Sequence, residues 1–82
     1  MADVSFYVED ESSHNRVLFK CKKDSFFGNA KLAYCQRQCL DPAILLFSFN
    51  GVKLNNADVL SAVGITDGSV VKVRFFPNDN EN

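Results

Sequence analysis

The chain has a single histidine, no tryptophan and only three cysteines in 82 residues, and these scarcities remove several functions before any pattern is read. His14 stands in a polar stretch with no nucleophile patterned beside it, so nothing supplies the base that a serine or cysteine nucleophile requires, and no enzyme is expected. His14 itself reads as a solvated turn residue. The cysteines, Cys21, Cys35 and Cys39, are odd in number and lack Cys-x-x-Cys spacing. Cys35 and Cys39, four apart, could share a helix face, but two sulfurs without further ligand spacing make a poor metal site, so neither metal nor other cofactor is expected. Cys35 reads instead as a small core residue. No apolar run approaches the roughly 18 residues that span a membrane. The N-terminus lacks the apolar core of a signal peptide. A reducing compartment, nucleus or cytoplasm, follows as the expected location.

Charge of one sign is lacking too. A formal net charge of −1 gives the whole molecule no long-range attraction to nucleic acid or to an anionic membrane, so neither is expected as a partner, and any basic surface has to be local. What is present is apolar and aromatic: 46% hydrophobic residues, eight of them phenylalanine. That is enough for one small core that removes roughly 60 to 65% of the unfolded surface from water. Residues 1–82 are read as a single domain, with 1–3 and the polar 77–82 expected to be flexible.

Val4, Phe6 and Val8 alternate with Ser5, Tyr7 and Glu9, the period of a strand with one buried face, Val4 to Glu9. After a loose turn of Asp10 to Asn15, Val17, Phe19 and Cys21 alternate with Leu18, Lys20 and Lys22, giving the second arm of a hairpin. Ser25 is positioned to cap a following helix, although no Glu or Gln stands three residues later. Phe27, Ala30, Tyr34 and Gln38 recur at helical spacing from about Phe26 to Gln38, and Asp41-Pro42 stops the run. Ile44 to Phe49 is a third strand ending in Asn50-Gly51, the dipeptide best suited to a type I′ turn, with a short return strand from Val52 to Leu54. Asn56 to Val63 can form one helical turn, and Asp67-Gly68 precedes a last strand, Val70 to Phe76, in which Val71, Val73 and Phe75 alternate with Lys72 and Arg74. The expected fold class is α+β: a mixed five-stranded sheet with one long helix across it and a short helical turn.

This order is that of the ubiquitin-like β-grasp. Phe19-Lys20-Cys21-Lys22, Tyr34-Cys35-Gln36-Arg37-Gln38, Phe47-Ser48-Phe49-Asn50-Gly51 and the run Asp67 to Val73 resemble the small ubiquitin-like modifier, SUMO, from about Val17 to Arg74. The resemblance implies that the first and last strands pair in parallel at the centre of the sheet. It also implies that the groove between the second strand and the helix takes up short hydrophobic motifs with acidic neighbours as an added strand. The matching positions are Val17, Phe19, Cys21, Ala30 and Tyr34 for an apolar floor, and Lys20, Lys22 and Arg37 for a cationic rim. Two positions depart from the family: Asn29 stands at a commonly basic site and Cys21 at a larger aliphatic one, which should lower affinity for acidic motifs or alter the motif preferred. The bland alternative is that Lys20, Lys22 and Lys23 only keep an edge strand soluble.

Elsewhere the resemblance thins. Of the family's consecutive acids that contact the back of the conjugating enzyme, Thr66-Asp67-Gly68-Ser69 keeps only Asp67, so contact through Gly51 and Asp67 with enzymes of that pathway is expected to be weak. Asp79-Asn80 occupies the aligned place of the terminal Gly-Gly, which excludes isopeptide formation by these 82 residues. Cys39 replaces a usual glycine, and Phe75 and Phe76 replace polar residues. The expected function is a noncatalytic, monomeric interaction module for proteins carrying SUMO-interaction-type motifs. The alternatives are the body of a true modifier whose Gly-Gly tail lies outside these residues, and a general ubiquitin-like adaptor that binds through the opposite sheet face around Leu46, Ser48 and Lys72.

Overall fold

The computed structural model describes residues 3–75. Five strands, β1 (Asp3–Asp10), β2 (Arg16–Lys22), β3 (Leu45–Phe49), β4 (Val52–Lys53) and β5 (Val70–Phe75), form one mixed sheet in the order β2-β1-β5-β3-β4. The 12-residue helix α1 (Phe27–Gln38) packs across one face. This is the α+β, β-grasp architecture, and β1 and β5, the first and last strands in sequence, lie side by side and parallel at its centre. β1 is longer than the sequence expectation at both ends: Asp3, expected to be flexible, already pairs with Lys22.

Alternation decides which side chains fill the core. Val4, Phe6 and Val8 from β1, Val71 and Val73 from β5, and Leu45 and Phe47 from β3 are buried against Phe27, Ala30, Tyr34 and Cys35 of α1. The rings form a chain from sheet to helix and back: Phe6 to Phe19 at 6.0 Å, Phe19 to Tyr34 at 6.3 Å, Tyr34 edge-on to Phe47 at 5.8 Å, and Phe47 to Phe27 at 5.3 Å between centroids. Tilted and edge-on pairs at these separations add to the gain from area burial alone. Phe75 departs from its alternation and is 52% exposed, since it lies opposite Leu45 where β3 begins and the core ends. Gln38, the last member of the expected helical stripe, is also exposed.

The helix starts differently from the sequence expectation. Ser25 does not cap it: its hydroxyl donates to the Lys22 carbonyl at 2.6 Å, and the N-cap is Phe26, which makes no side-chain cap bond. The first amides are satisfied by a neighbouring loop instead, Phe27 N–H donating to Asp58 O at 2.7 Å and Gly28 N–H to Asn56 O at 3.0 Å. The approach is so close that a Cβ on Gly28 would stand 3.0 Å from the Asn56 Cβ and carbonyl oxygen, so any larger residue there obliges the Asn56 loop to give way.

The helix also ends before Asp41-Pro42. Cys39 adopts a left-handed conformation, φ 57°, its N–H donating to Gln36 O and the Leu40 N–H to Cys35 O. These two bonds make a Schellman motif with cysteine where glycine is usual. Asp41 serves the next element, accepting the Ala43 amide at 2.9 Å to cap a 3₁₀ turn at Pro42–Ile44. Ile44 therefore belongs to that turn and not to β3. Asn50 and Gly51 both have positive φ, 54° and 80°, as a type I′ turn requires. Residues 56–64 run in turns with one helical-type bond, Val63 N–H to Val59 O at 3.2 Å, so the short helical element is the one at Pro42–Ile44. No helix among the described residues is long and apolar enough to cross a membrane.

Candidate strand-docking edge

β2 is an outer strand that pairs only with β1 among the described residues. The direction of its free backbone groups follows from parity. The hairpin closes with Asp10 N–H donating to Asn15 O at 3.0 Å, and in an antiparallel ladder bonded and non-bonded pairs alternate from such a point. Val8–Val17, Phe6–Phe19 and Val4–Cys21 are then the bonded pairs. The other face of β1 agrees: Tyr7 N–H donates to Ser69 O and Gly68 N–H to Ser5 O, both at 2.8 Å, so Ser5 and Tyr7 turn toward β5 and not toward β2. Leu18 and Lys20 consequently aim N–H and C=O out of the sheet. The edge stops at Lys22, whose carbonyl is taken by the Ser25 amide at 3.0 Å and hydroxyl at 2.6 Å.

The side chains flank this edge from both sides. Val17, Phe19 and Cys21 turn toward α1; Lys20 and Lys22 turn to the opposite face and are exposed; Arg37 comes from the last turn of the helix. The apolar floor is shallower than the sequence suggests. Phe19, Ala30 and Tyr34 are 7%, 2% and 3% exposed, members of the core more than walls of a slot, and only Val17 and Cys21 remain half-open. Arg37 is more than a rim residue, because its guanidinium lies over the Phe19 ring, 5.5 Å from the centroid. What the edge offers is a ledge: outward backbone groups at Arg16, Leu18 and Lys20 above aliphatic and thiol shoulders, with a cation-covered ring between them.

Burial pushes the Cys21 and Cys35 thiols up, with the Asp3 charge adding to the effect at Cys21, so neither is prepared as a thiolate. Burial likewise raises Tyr34. Cys35 is buried in the core whereas Cys39 is exposed at the helix end, so the two share no face and no ligand pair.

Sequence reasoning missed Glu9. Alternation makes it an outward polar residue of β1, and it does point away from the helix, yet it is only 5% exposed. Three cationic or potentially cationic groups enclose its carboxylate: Arg16 Nε at 2.9 Å, His14 Nδ1 at 3.3 Å and Lys72 Nζ at 3.6 Å. The hydrogen bond to His14 is the largest influence holding the Glu9 carboxyl below its ordinary 4.5; burial opposes it, and the Arg16 hydrogen bond and the Lys72 and Arg16 charges add to the lowering. His14 is thus an exposed turn residue with a partner, held at φ 64°. Its signal was the pairing of Glu9 with Arg16 in the hairpin and with Lys72 across β5, which places both cations beside it.

Gly51 and Asp67 lie at one end of the sheet, in the turn after β3 and the turn before β5. Gly51 is open to solvent. Asp67 already has a structural task, its Oδ1 accepting the Ser5 amide at 2.8 Å. Phe76 and the polar ending 77–82, with the aligned Asp79-Asn80, lie outside the described residues. Searches against protein-family models and against curated proteins return no match.

Proposed function

We propose that this chain is a noncatalytic interaction module that adds a short extended segment as a strand along β2. The observation that carries the reading is the outward aim of the Leu18 and Lys20 backbone groups on an edge that ends at Lys22. A segment laid there forms main-chain hydrogen bonds with those two residues, and its alternate side chains fall on Val17 and Cys21. Val and Ile suit such shoulders better than aromatic side chains, because Phe19 and Tyr34 leave no deep pocket. Acidic neighbours meet Lys20 and Lys22 on one flank and Arg37 on the other. The resemblance of Phe19 to Lys22 and of Tyr34 to Gln38 to SUMO supports the same occupant, a SUMO-interaction-type motif. Surface charges of this kind contribute only about 0.2 to 1 kcal/mol each, so they set orientation and on-rate, and the complex is of roughly micromolar strength, near −8 kcal/mol. Contact with conjugating enzymes of that pathway is weak in this reading, since Asp67 is engaged by Ser5.

A titration of the labelled protein with a Val/Ile-rich acidic peptide, followed by two-dimensional NMR, tests the proposal. Saturable shifts at Leu18, Lys20 and Cys21, with affinity lowered up to about fivefold by Lys22→Glu, are expected. Shifts confined to the Leu46, Ser48 and Lys72 face, or affinity unchanged in Lys22→Glu, would overturn it. Incubation with activating enzyme, conjugating enzyme and ATP provides a separate check, in which any covalent product excludes a purely noncovalent role.

A further inference from the structure

Two turns of this chain set a side-chain carbonyl in front of a glycine amide: Asn50-Gly51 between β3 and β4, and Asp67-Gly68 before β5. Of the eight asparagines, Asn50 is the one followed by glycine, whose missing side chain leaves its amide nitrogen unobstructed. In access the two turns are alike. All four residues are exposed, both glycines have positive φ, 80° and 86°, and a Cβ added to either would meet nothing within 4 Å. They differ in what holds the atoms that would react. At the second turn Ser5 holds both: its N–H donates to Asp67 Oδ1 and its carbonyl accepts the Gly68 N–H, each at 2.8 Å. At the first turn neither the Asn50 side chain nor the Gly51 amide has a hydrogen-bond partner among the described residues. The pairing around it is also the shortest in the sheet, Ser48 with Lys53 and Phe49 with Val52, so local opening there is easy.

We propose that Asn50-Gly51 is a site of nonenzymatic covalent modification, at which the folded chain slowly converts asparagine to aspartate and isoaspartate while Asp67-Gly68 is held inert. The Gly51 nitrogen gives its proton to water or hydroxide and attacks Asn50 Cγ. The N–Cγ bond forms, the Cγ–Nδ2 bond breaks, and ammonia leaves with a proton taken from solvent. Water then opens the five-membered imide. Cleavage of the new N–Cγ bond leaves aspartate in an ordinary main chain, whereas cleavage of the original peptide bond leaves the main chain running through the side chain as isoaspartate. Overall one amide and one water become one carboxylate and one ammonium, and no electron is transferred. The turn holds Asn50 at φ 54°, and its closing pairs resist the rotation that brings the Gly51 nitrogen over Cγ, so the rate follows the opening of β4. The products change the turn. Either one adds a negative charge three residues before Lys53, at the end of the sheet that holds Asp67, and the extra backbone atom of isoaspartate disrupts the two-residue type I′ geometry that pairs Phe49 with Val52.

The experiment ages the full chain and its Asp67→Asn variant at mildly alkaline pH, both folded and in urea. The variant places a second Asn-Gly in the turn that Ser5 holds. Peptide mapping by mass spectrometry reads the exchange of amide for carboxylate at each position, and an isoaspartyl methyltransferase with a labelled methyl donor reads isoaspartate. In the folded variant, position 50 is expected to convert at least about tenfold faster than position 67, because two hydrogen bonds have to break before the latter can react. In urea the two positions convert at similar rates. The parent chain supplies a check that does not depend on the variant's folding: an acidic species accumulates on ion exchange and is missing from Asn50→Gln. The inference is overturned if the folded chain keeps Asn50 intact over the period in which the unfolded chain converts it, if positions 50 and 67 convert equally in the folded variant, or if the acidic species accumulates equally in Asn50→Gln. The turn lies at the margin opposite β2, so neither result bears on strand docking.

Discussion

The two margins of this sheet are protected in different ways. β4 is two residues long and its partner β3 turns back into it through Asn50-Gly51, so the margin is too short to receive another strand. β2 is seven residues long and is guarded only by lysines and by the adjacent helix. Proteins shorten an outer strand or charge it when an open one would invite aggregation. Here the first device is applied on one side and the second on the other. A charged margin repels copies of itself, and the proposed strand docking rests on this difference between β2 and β4.

The contrast is broken most severely at Phe19. This ring links Phe6 to Tyr34, and Phe19→Ala costs about 3 to 5 kcal/mol in chemical denaturation, whereas Val52→Ala on β4, already exposed, stays within about 0.5 kcal/mol. Equal costs at the two positions would remove the asymmetry. The next effect is pH-dependent. Glu9 is held below its ordinary 4.5, so its contribution to stability is complete above that value and is lost as pH falls through the lower folded value. Glu9→Gln should therefore lower the unfolding midpoint near neutral pH and flatten its decline as pH falls below 4.5, and a decline as steep as in the parent chain would show that Glu9 is not the group responsible. The smallest change sharpens the comparison without altering either margin. Cys39→Gly relieves a left-handed residue at the helix end that bounds the β2 side, stabilising by about 1 kcal/mol, and thermal unfolding measures it. Parity makes a final check that needs no substitution: the amides of Leu18 and Lys20 should exchange with solvent faster than those of Val17, Phe19 and Cys21.

Much of this architecture could be read in the residues. Val4, Phe6 and Val8, then Val17, Phe19 and Cys21, carry a period that only a half-buried strand explains, and Asn50-Gly51 specifies its own turn. What could not be read depends on neighbours distant in sequence. Glu9 looks like a solvated residue until the register brings Arg16 and Lys72 beside it. Ser25 looks like a cap until Lys22 offers a carbonyl within 2.6 Å and the loop at Asn56 and Asp58 takes over the helix amides. The closed floor beside β2 arises because Phe6, Phe19, Tyr34 and Phe47 pack as one chain of rings, and no periodicity reveals how deeply such a chain lies. Cys39 was noticeable as a substitution for glycine, and only its φ of 57° shows what that glycine would have supplied.

The pairing of β1 with β5 has a consequence for the order in which the molecule comes into being. Residues near the start of the chain can form their hairpin early, but they have no central neighbour until residues 70–73 are in place. A ribosome making this protein from its N-terminus therefore holds an unfinished domain until that late stretch has left the exit tunnel. Completion then has to close a contact between residues as far apart in sequence as Tyr7 and Val70, a slow step for so small a domain.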